Sequence, residues 1–158
     1  MLDLTTPRGR IVSAALGLAA EKPWGDITLS DIAERAATTL VELKREFSSK
    51  AEIVSAFAGF VDDEVLRRAP RRPPEQAPRD ALFEIVMSRF DVLEPWKAAL
   101  KSIVAAGGNL DPSRVCPFLA SQRWMLEAAG IGTDGREGGA RVAGLASVYA
   151  SVFRTWLD

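Results

Sequence analysis

Between Thr28 and Glu52 one short pattern occurs three times: a hydroxyl residue followed three positions later by an acid, as Thr28…Asp31, Thr39…Glu42 and Ser49…Glu52. In such a pair the hydroxyl oxygen accepts from an amide in the first turn of a helix, and the acid reaches back toward the start of that turn. Three starts this close together cannot share one helix. They predict a short helix closing at Ala36-Ala37, a second ending near Phe47, and a longer amphipathic one. The third carries Ile53, Phe57, Phe60, Val61 and Val65 to about Arg68.

The flanking sequence extends the same helical reading. Thr6 caps and Pro7 opens a helix over 7–21, with Ile11, Ala15 and Leu18 on one stripe, closed by Lys22-Pro23-Trp24-Gly25. Residues 69–78 hold Pro70, Pro73, Pro74 and Pro78 with Arg71 and Arg72, and read as a linker. A helix from about Arg79 then presents Leu82, Phe83, Val86, Met87, Phe90 and Leu93, and Pro95 breaks it. Trp96, Ala99, Leu100 and Ile103 carry a sixth helix to Gly107-Gly108. Asp111-Pro112 reads as the cap and first position of a seventh, kinked at Pro117 and reaching Gly130. Residues 132–139 read as a flexible loop, and the last helix begins at about Ala140. No stretch alternates with period two, so the fold class is all-α.

Composition removes several kinds of chemistry. The chain has 158 residues and no histidine, which excludes histidine-based triads and most zinc and iron sites. No metal, cofactor or catalytic pair is expected. The single cysteine, Cys116, can form no internal disulfide, and its place before Pro117 on an apolar helix reads as a buried structural thiol. No apolar run approaches the roughly 18–20 residues that span a bilayer. The first residues lack a basic region followed by an apolar stretch, so a cytoplasmic protein without a signal peptide is expected. Asp62-Asp63-Glu64 reads as a solvated acidic face, and Arg67-Arg68 with Arg71-Arg72 as a basic cluster solvating the linker.

Residues 28–50 form two short helices joined by a tight turn, the geometry by which many small proteins place a helix in the DNA major groove. The run Ile11…Ala14-Ala15…Leu18, then Trp24-Gly25-Asp26-Ile27-Thr28, Asp31-Ile32-Ala33-Glu34-Arg35-Ala36, and Leu43…Phe47-Ser48-Ser49-Lys50…Ile53 resembles the N-terminal domain of TetR-family transcriptional regulators. The resemblance implies a helix-turn-helix domain over residues 1–50 and a helical ligand-binding and dimerising domain over 51–158. The latter comprises a connecting helix over 51–68, the linker over 69–78 and the helices that follow. It implies a homodimer on double-stranded operator DNA, with Thr28, Thr38, Thr39, Leu40, Lys44, Arg45 and Lys50 at the nucleic acid. Thr28 and Thr39 would cap helices aimed at phosphates, and Lys50 would match the family's phosphate-contacting lysine. The chain departs from the family at Lys44, where a tyrosine is usual, and at Val41, where a small residue is usual.

Electrostatics pull the other way. Residues 1–56 contain Arg8, Arg10, Lys22, Arg35, Lys44, Arg45 and Lys50 against Asp3, Glu21, Asp26, Asp31, Glu34, Glu42, Glu46 and Glu52, seven against eight. Phosphate neutralisation supplies much of DNA affinity, so Glu42 and Glu46 would oppose it. A glutamate can also accept from cytosine, or serve as the capping partner of Thr39.

The second half, from Arg79-Asp80-Ala81 through Leu93-Glu94-Pro95-Trp96-Lys97-Ala98-Ala99-Leu100 to Trp124-Met125-Leu126-Glu127-Ala128-Ala129-Gly130, looks like the TetR-like lipid-binding accessory proteins of ubiquinone biosynthesis. That resemblance implies an alternative: a lipid- or isoprenoid-binding protein that does not bind DNA and contacts membranes. Relatives of that kind carry a further amphipathic helix; here the sequence stops at Asp158, as a shorter relative or with a C-terminal piece missing. Either reading assigns an apolar ligand to Phe83, Met87, Phe90, Trp96, Trp124, Met125, Tyr149 and Phe153. Phe153 and Trp156 are alternatively a dimer seam.

Overall fold

A computed structural model describes residues 2–107 and 112–158, without the side chains of 112–115. Among them every regular element is helical. Helix α1 spans Pro7–Glu21, with the Thr6 hydroxyl accepting from the Gly9 amide at 3.0 Å. A 3-10 turn at Trp24–Asp26 leads to α2 (Leu29–Arg35), α3 (Leu40–Glu46) and α4 (Lys50–Arg68). After the proline-rich segment come α5 (Pro78–Leu93), a 3-10 turn at Glu94–Trp96 where Pro95 interrupts the helix, and α6 (Lys97–Ala106). Helices α7 (Pro112–Ala128) and α8 (Gly135–Leu157) complete the chain. The proposed cap Asp111 and the stop residue Gly108 lie outside the described residues.

Local chemistry closes each element of the head. The α2–α3 turn is a Schellman motif, with Ala37 N–H on Glu34 O (3.1 Å) and Thr38 N–H on Ala33 O (3.0 Å). It places the non-glycine Ala37 at φ 51°, a conformation costing about 1–2 kcal/mol for an L-residue. Helix α7 ends the same way, but there Gly130 takes the positive φ of 75° and lies against the Arg72 side chain.

Helix α1 runs through the centre of the N-terminal half. Its buried face, Ile11 to Ala19, is wider than the stripe visible in the sequence because α2, α4 and α6 all pack on it. Helix α4 is the other spine, meeting α5 and α7 through Ile53, Phe57, Val61 and Val65. One apolar core continues from Ile11 to Leu157.

Several sequence expectations are corrected here. Helix α8 starts at Gly135 and not near Ala140: Gly138 sits directly on the Thr133 backbone, where any Cβ would lie 2.0 Å from a carbonyl carbon, and this contact outweighs poor glycine helix propensity. Cys116 is exposed, because α7 turns that side outward beside α8. The acidic run is not uniformly solvated: Asp62 points inward to Arg89, Glu64 binds Arg67 and Arg68, and Asp63 alone is exposed. Three of the four arginines of the basic cluster are engaged within the chain, with Arg67 and Arg68 on Glu64 and Arg72 donating to Gln76 O.

The capping carboxylates predict acid sensitivity. Asp31, Glu42 and Glu52 accept hydrogen bonds at the starts of α2, α3 and α4, and those bonds hold all three below their ordinary values of 3.8, 4.5 and 4.5. A depressed carboxyl pKa gives stability that is complete above the unfolded value and is lost as pH falls through the folded one. Thermal unfolding of the native chain and of Glu42→Gln, followed by circular dichroism from pH 7 to pH 3, should show a deficit for the variant that closes as pH falls below 4.5.

Candidate functional site

Helix α3 is the most outward element of the head. Leu43 faces inward and is buried, with Phe47 just beyond the helix packed beside it. At about 100° per residue, Val41 and Arg45 then lie on the opposite pole, Leu40 and Lys44 on one flank, and Glu42 and Glu46 on the other. Val41 and Leu40 are 61% and 50% exposed, and Lys44 and Arg45 are exposed with no hydrogen-bond or ion-pair partner among the described residues. The sequence reading left out Val41, although its exposure exceeds that of Leu40.

Glu42 does not project toward an incoming ligand. Its carboxylate folds back and accepts from Thr38 Oγ1 (2.7 Å), Thr39 N (3.0 Å) and Thr39 Oγ1 (3.2 Å). The Thr38 hydroxyl, then the Thr39 amide and hydroxyl, hold its pKa down, with a smaller contribution from Arg45. The start of α3 therefore already has its anion. Thr38 and Thr39 spend their hydroxyls internally, and so does Thr28, which accepts from Asp31 N at 3.1 Å. Lys22 pairs with Asp31, and Arg35 with Glu21, so much of the head's acidity is neutralised away from α3.

Lys50 opens α4, as the sequence reading placed it, and its ammonium is engaged within the head. Its ammonium donates to Trp24 O and Ile27 O, each at 2.6 Å, and lies 4.5 Å from the Trp24 ring centroid. Burial lowers its pKa against the opposing pull of Asp26 and Asp31. The residue ties the 3-10 turn to the start of α4, leaving one N–H for any further acceptor.

A second feature lies inside the C-terminal bundle. A cavity of about 290 Å³ opens between α4, α5, α6, α7 and α8. Its walls are mostly apolar: Val54, Phe57 and Val61 of α4, Leu93 of α5, Leu100, Ile103 and Val104 of α6, Phe118 of α7, and Phe153 of α8. One wall is polar. Arg89, only 6% exposed, pairs with Asp62, donates to Tyr149 Oη (3.2 Å) and to Ser121 Oγ (3.3 Å), and Ser121 donates to Asp62 Oδ2 (2.7 Å). Burial pushes the Tyr149 hydroxyl up, outweighing the opposing Arg89 charge, so it stays protonated.

Of the residues expected to line a ligand, Tyr149 and Phe153 border this cavity. Phe90 stacks behind them, 5.3 Å from Tyr149 between ring centroids, and Trp96 packs edge-on against Phe57. Met125 is buried in the core. Phe83, Met87 and Trp124 are on the surface, Phe83 at 66% exposure, because α5 and α7 turn different faces inward. Phe153 and Trp156 face their own bundle: Phe153 stacks on Phe90, and the Trp156 indole donates to Glu94 (3.0 Å). The side chains that the sequence reading missed are Asp62, Arg89 and Ser121, which no spacing pattern joins.

Helices α4 and α6 connect the two features. Each has one face on the cavity and another on the head. Ser102 of α6 accepts from Trp24 N (2.9 Å) and donates to Lys22 O (3.2 Å), one position from the cavity residue Ile103. Helix α4 carries Asp62 in its C-terminal half and begins three residues beyond Phe47, the residue that closes α3.

Residues 11–57 match the family model described as "Bacterial regulatory proteins, tetR family". The whole chain superimposes on the crystal structure of a TetR transcriptional regulator from Nitrosomonas europaea ATCC 19718, with a TM-score of 0.72 and 23% identity over 96% of this chain and 85% of that one. A TetR transcriptional regulator from Rhodococcus sp. RHA1 gives a TM-score of 0.68 and 24% identity over 94% and 83%. No curated protein matches. The fold is therefore TetR-like along its length, and the family-model match falls on the head and the start of α4.

Proposed function

We propose that this TetR-like chain is a transcriptional regulator that binds double-stranded operator DNA as a homodimer and responds to an apolar small molecule. In this reading residues 1–50 are the DNA-binding head, and residues 51–158 hold the ligand and the partner subunit. The observation that carries it is the outward face of α3: two cations without an ion-pair partner among the described residues, beside two exposed apolar side chains, with Glu42 turned back on its own helix. Lys44 and Arg45 suit phosphate or guanine, and Leu40 and Val41 suit thymine methyl groups. Thr28, Thr38, Thr39 and Lys50 would support this face by fixing helix starts, not by offering their own polar groups to phosphates.

The test is fluorescence anisotropy with duplexes from the chain's own upstream DNA and with random duplex, over a salt series. Salt-dependent binding well above the random level supports the reading; binding equal to random at every salt concentration rejects it.

The outer face of α8 favours a second copy. From Ala143 to Val152 its exposed residues are Ala143, Gly144, Ser147, Val148, Ser151 and Val152, with no charge among them. A solvated helix face is ordinarily charged, and small and β-branched residues allow close helix packing. Val148→Glu should convert the dimer to a monomer in sedimentation velocity while leaving helicity unchanged. Two heads in such a dimer would meet half-sites about 34–36 Å apart.

The cavity also gives the lipid-binding alternative an observation of its own, since an apolar chamber needs no DNA to be useful. Extraction and mass spectrometry of the purified protein separates the two: a copurifying isoprenoid together with absent DNA binding favours the alternative.

A further inference from the structure

The cavity's polar wall carries information about what can enter. Arg89 and Asp62 already balance each other's charge, and the carboxylate is further satisfied by Ser121. An anionic ligand seated there would compete with Asp62 for one guanidinium, and a cationic one would compete with Arg89 for one carboxylate. Either leaves a net buried charge, which a low-dielectric site strongly disfavours. A pure hydrocarbon wastes the wall in the opposite sense, because donors are left over. Tyr149 accepts from Arg89, yet its own proton meets no acceptor among the described residues. Arg89 has five N–H groups, and three bonds account for Tyr149, Asp62 and Ser121. The surplus is all donor. Ser55, the other hydroxyl on the lining, is turned to Ala51 O at 3.1 Å, and Arg154 at the mouth is exposed and screened by water.

We infer that the ligand is a neutral, largely apolar molecule with a single acceptor oxygen of the carbonyl class, received by the Tyr149 hydroxyl and the spare N–H groups of Arg89. This rests on the ligand-responsive reading above and narrows its chemistry. It also assigns a route for the response. Arg89 also holds Asp62 of α4, the helix that enters the head, so the ligand and the α4 position share one side chain.

The test uses the full chain and probes of matched length: 2-nonanone, nonanoate and nonylammonium, with butylbenzene as the hydrocarbon, each by isothermal titration calorimetry near neutral pH. The ketone should bind at least tenfold more tightly than either ion or the hydrocarbon. Tyr149→Phe, which keeps the ring stacking, should lose at least fivefold for the ketone and stay within twofold for butylbenzene. An ion binding as well as the ketone, a ketone affinity untouched in Tyr149→Phe, or no binding by any probe overturns the inference. If the variant does not fold, the probe ranking in the unaltered protein decides. DNA anisotropy on the same samples keeps the two readings apart. Ketone binding without DNA binding sinks the regulator and leaves this site standing; DNA binding with no probe bound does the reverse.

Discussion

Reversing both exposed cations of α3, in Lys44→Glu/Arg45→Glu, is expected to abolish operator binding, with at least a hundredfold loss of affinity and an unchanged fold. Both side chains project into solvent, and no hydrogen bond or ion pair among the described residues depends on them; Arg45 adds only a minor electrostatic pull on Glu42. Their replacement by alanine separates two contributions. If each neutralises one phosphate, the slope of log affinity against log salt should flatten by about 0.9 per residue, roughly 1.8 for the pair. If Arg45 instead reads a guanine, Arg45→Ala should cost about 1–3 kcal/mol on the operator, and the difference between operator and random duplex should shrink. Anisotropy titrations at several salt concentrations distinguish the cases. Circular dichroism superimposable on that of the native chain is required throughout.

The second large effect is expected at Asp62. Removing this carboxylate strands Arg89, at 6% exposure, inside the bundle. Breaking a buried pair from one side costs about 3–5 kcal/mol, mainly because the surviving charge has no compensation. Asp62→Ala should therefore lower the urea midpoint markedly. Asp62→Ala/Arg89→Leu should recover most of the loss, since two apolar groups there would simply extend the surrounding core. A double variant no more stable than the single one would mean that the pair stabilises the fold by more than its own desolvation takes away.

Asp62 and Arg89 also mark where the sequence stopped being readable. Cap residues act on amides two or three positions away, so Thr6, Thr28, Thr39 and Ser49 announced their helices from local pattern alone. Helix α1 begins and ends at the expected residues for the same reason. The facing of α5 was not local. A charged residue ordinarily marks the wet side of a helix, so Phe83 and Met87 were assigned to the interior and Arg89 to none of it. The true inner face is Ala81, Ile85, Arg89, Phe90 and Leu93, and it is set by an acid 27 positions earlier, on another helix. That rotation moved Phe83 and Met87, two of the eight residues expected to line the ligand, to the surface. Glu42 posed the complementary difficulty: its acidity was plain, but whether it faced outward or back onto Thr38 and Thr39 depended on a rotamer. Lys50 was assigned by resemblance, and its two carbonyl partners belong to a turn more than twenty residues away.

The hydroxyl of Ser102 has one further consequence. It bridges an amide and a carbonyl at the base of the trihelical head, beneath the long α1–α6 seam. A peptide cut after residue 50 would thus present the α6-facing side of α1, Ala19 included, to water, with no wall to cover it. The head is not a bead on a string. It borrows part of its interior from the body, and the two should melt in one transition.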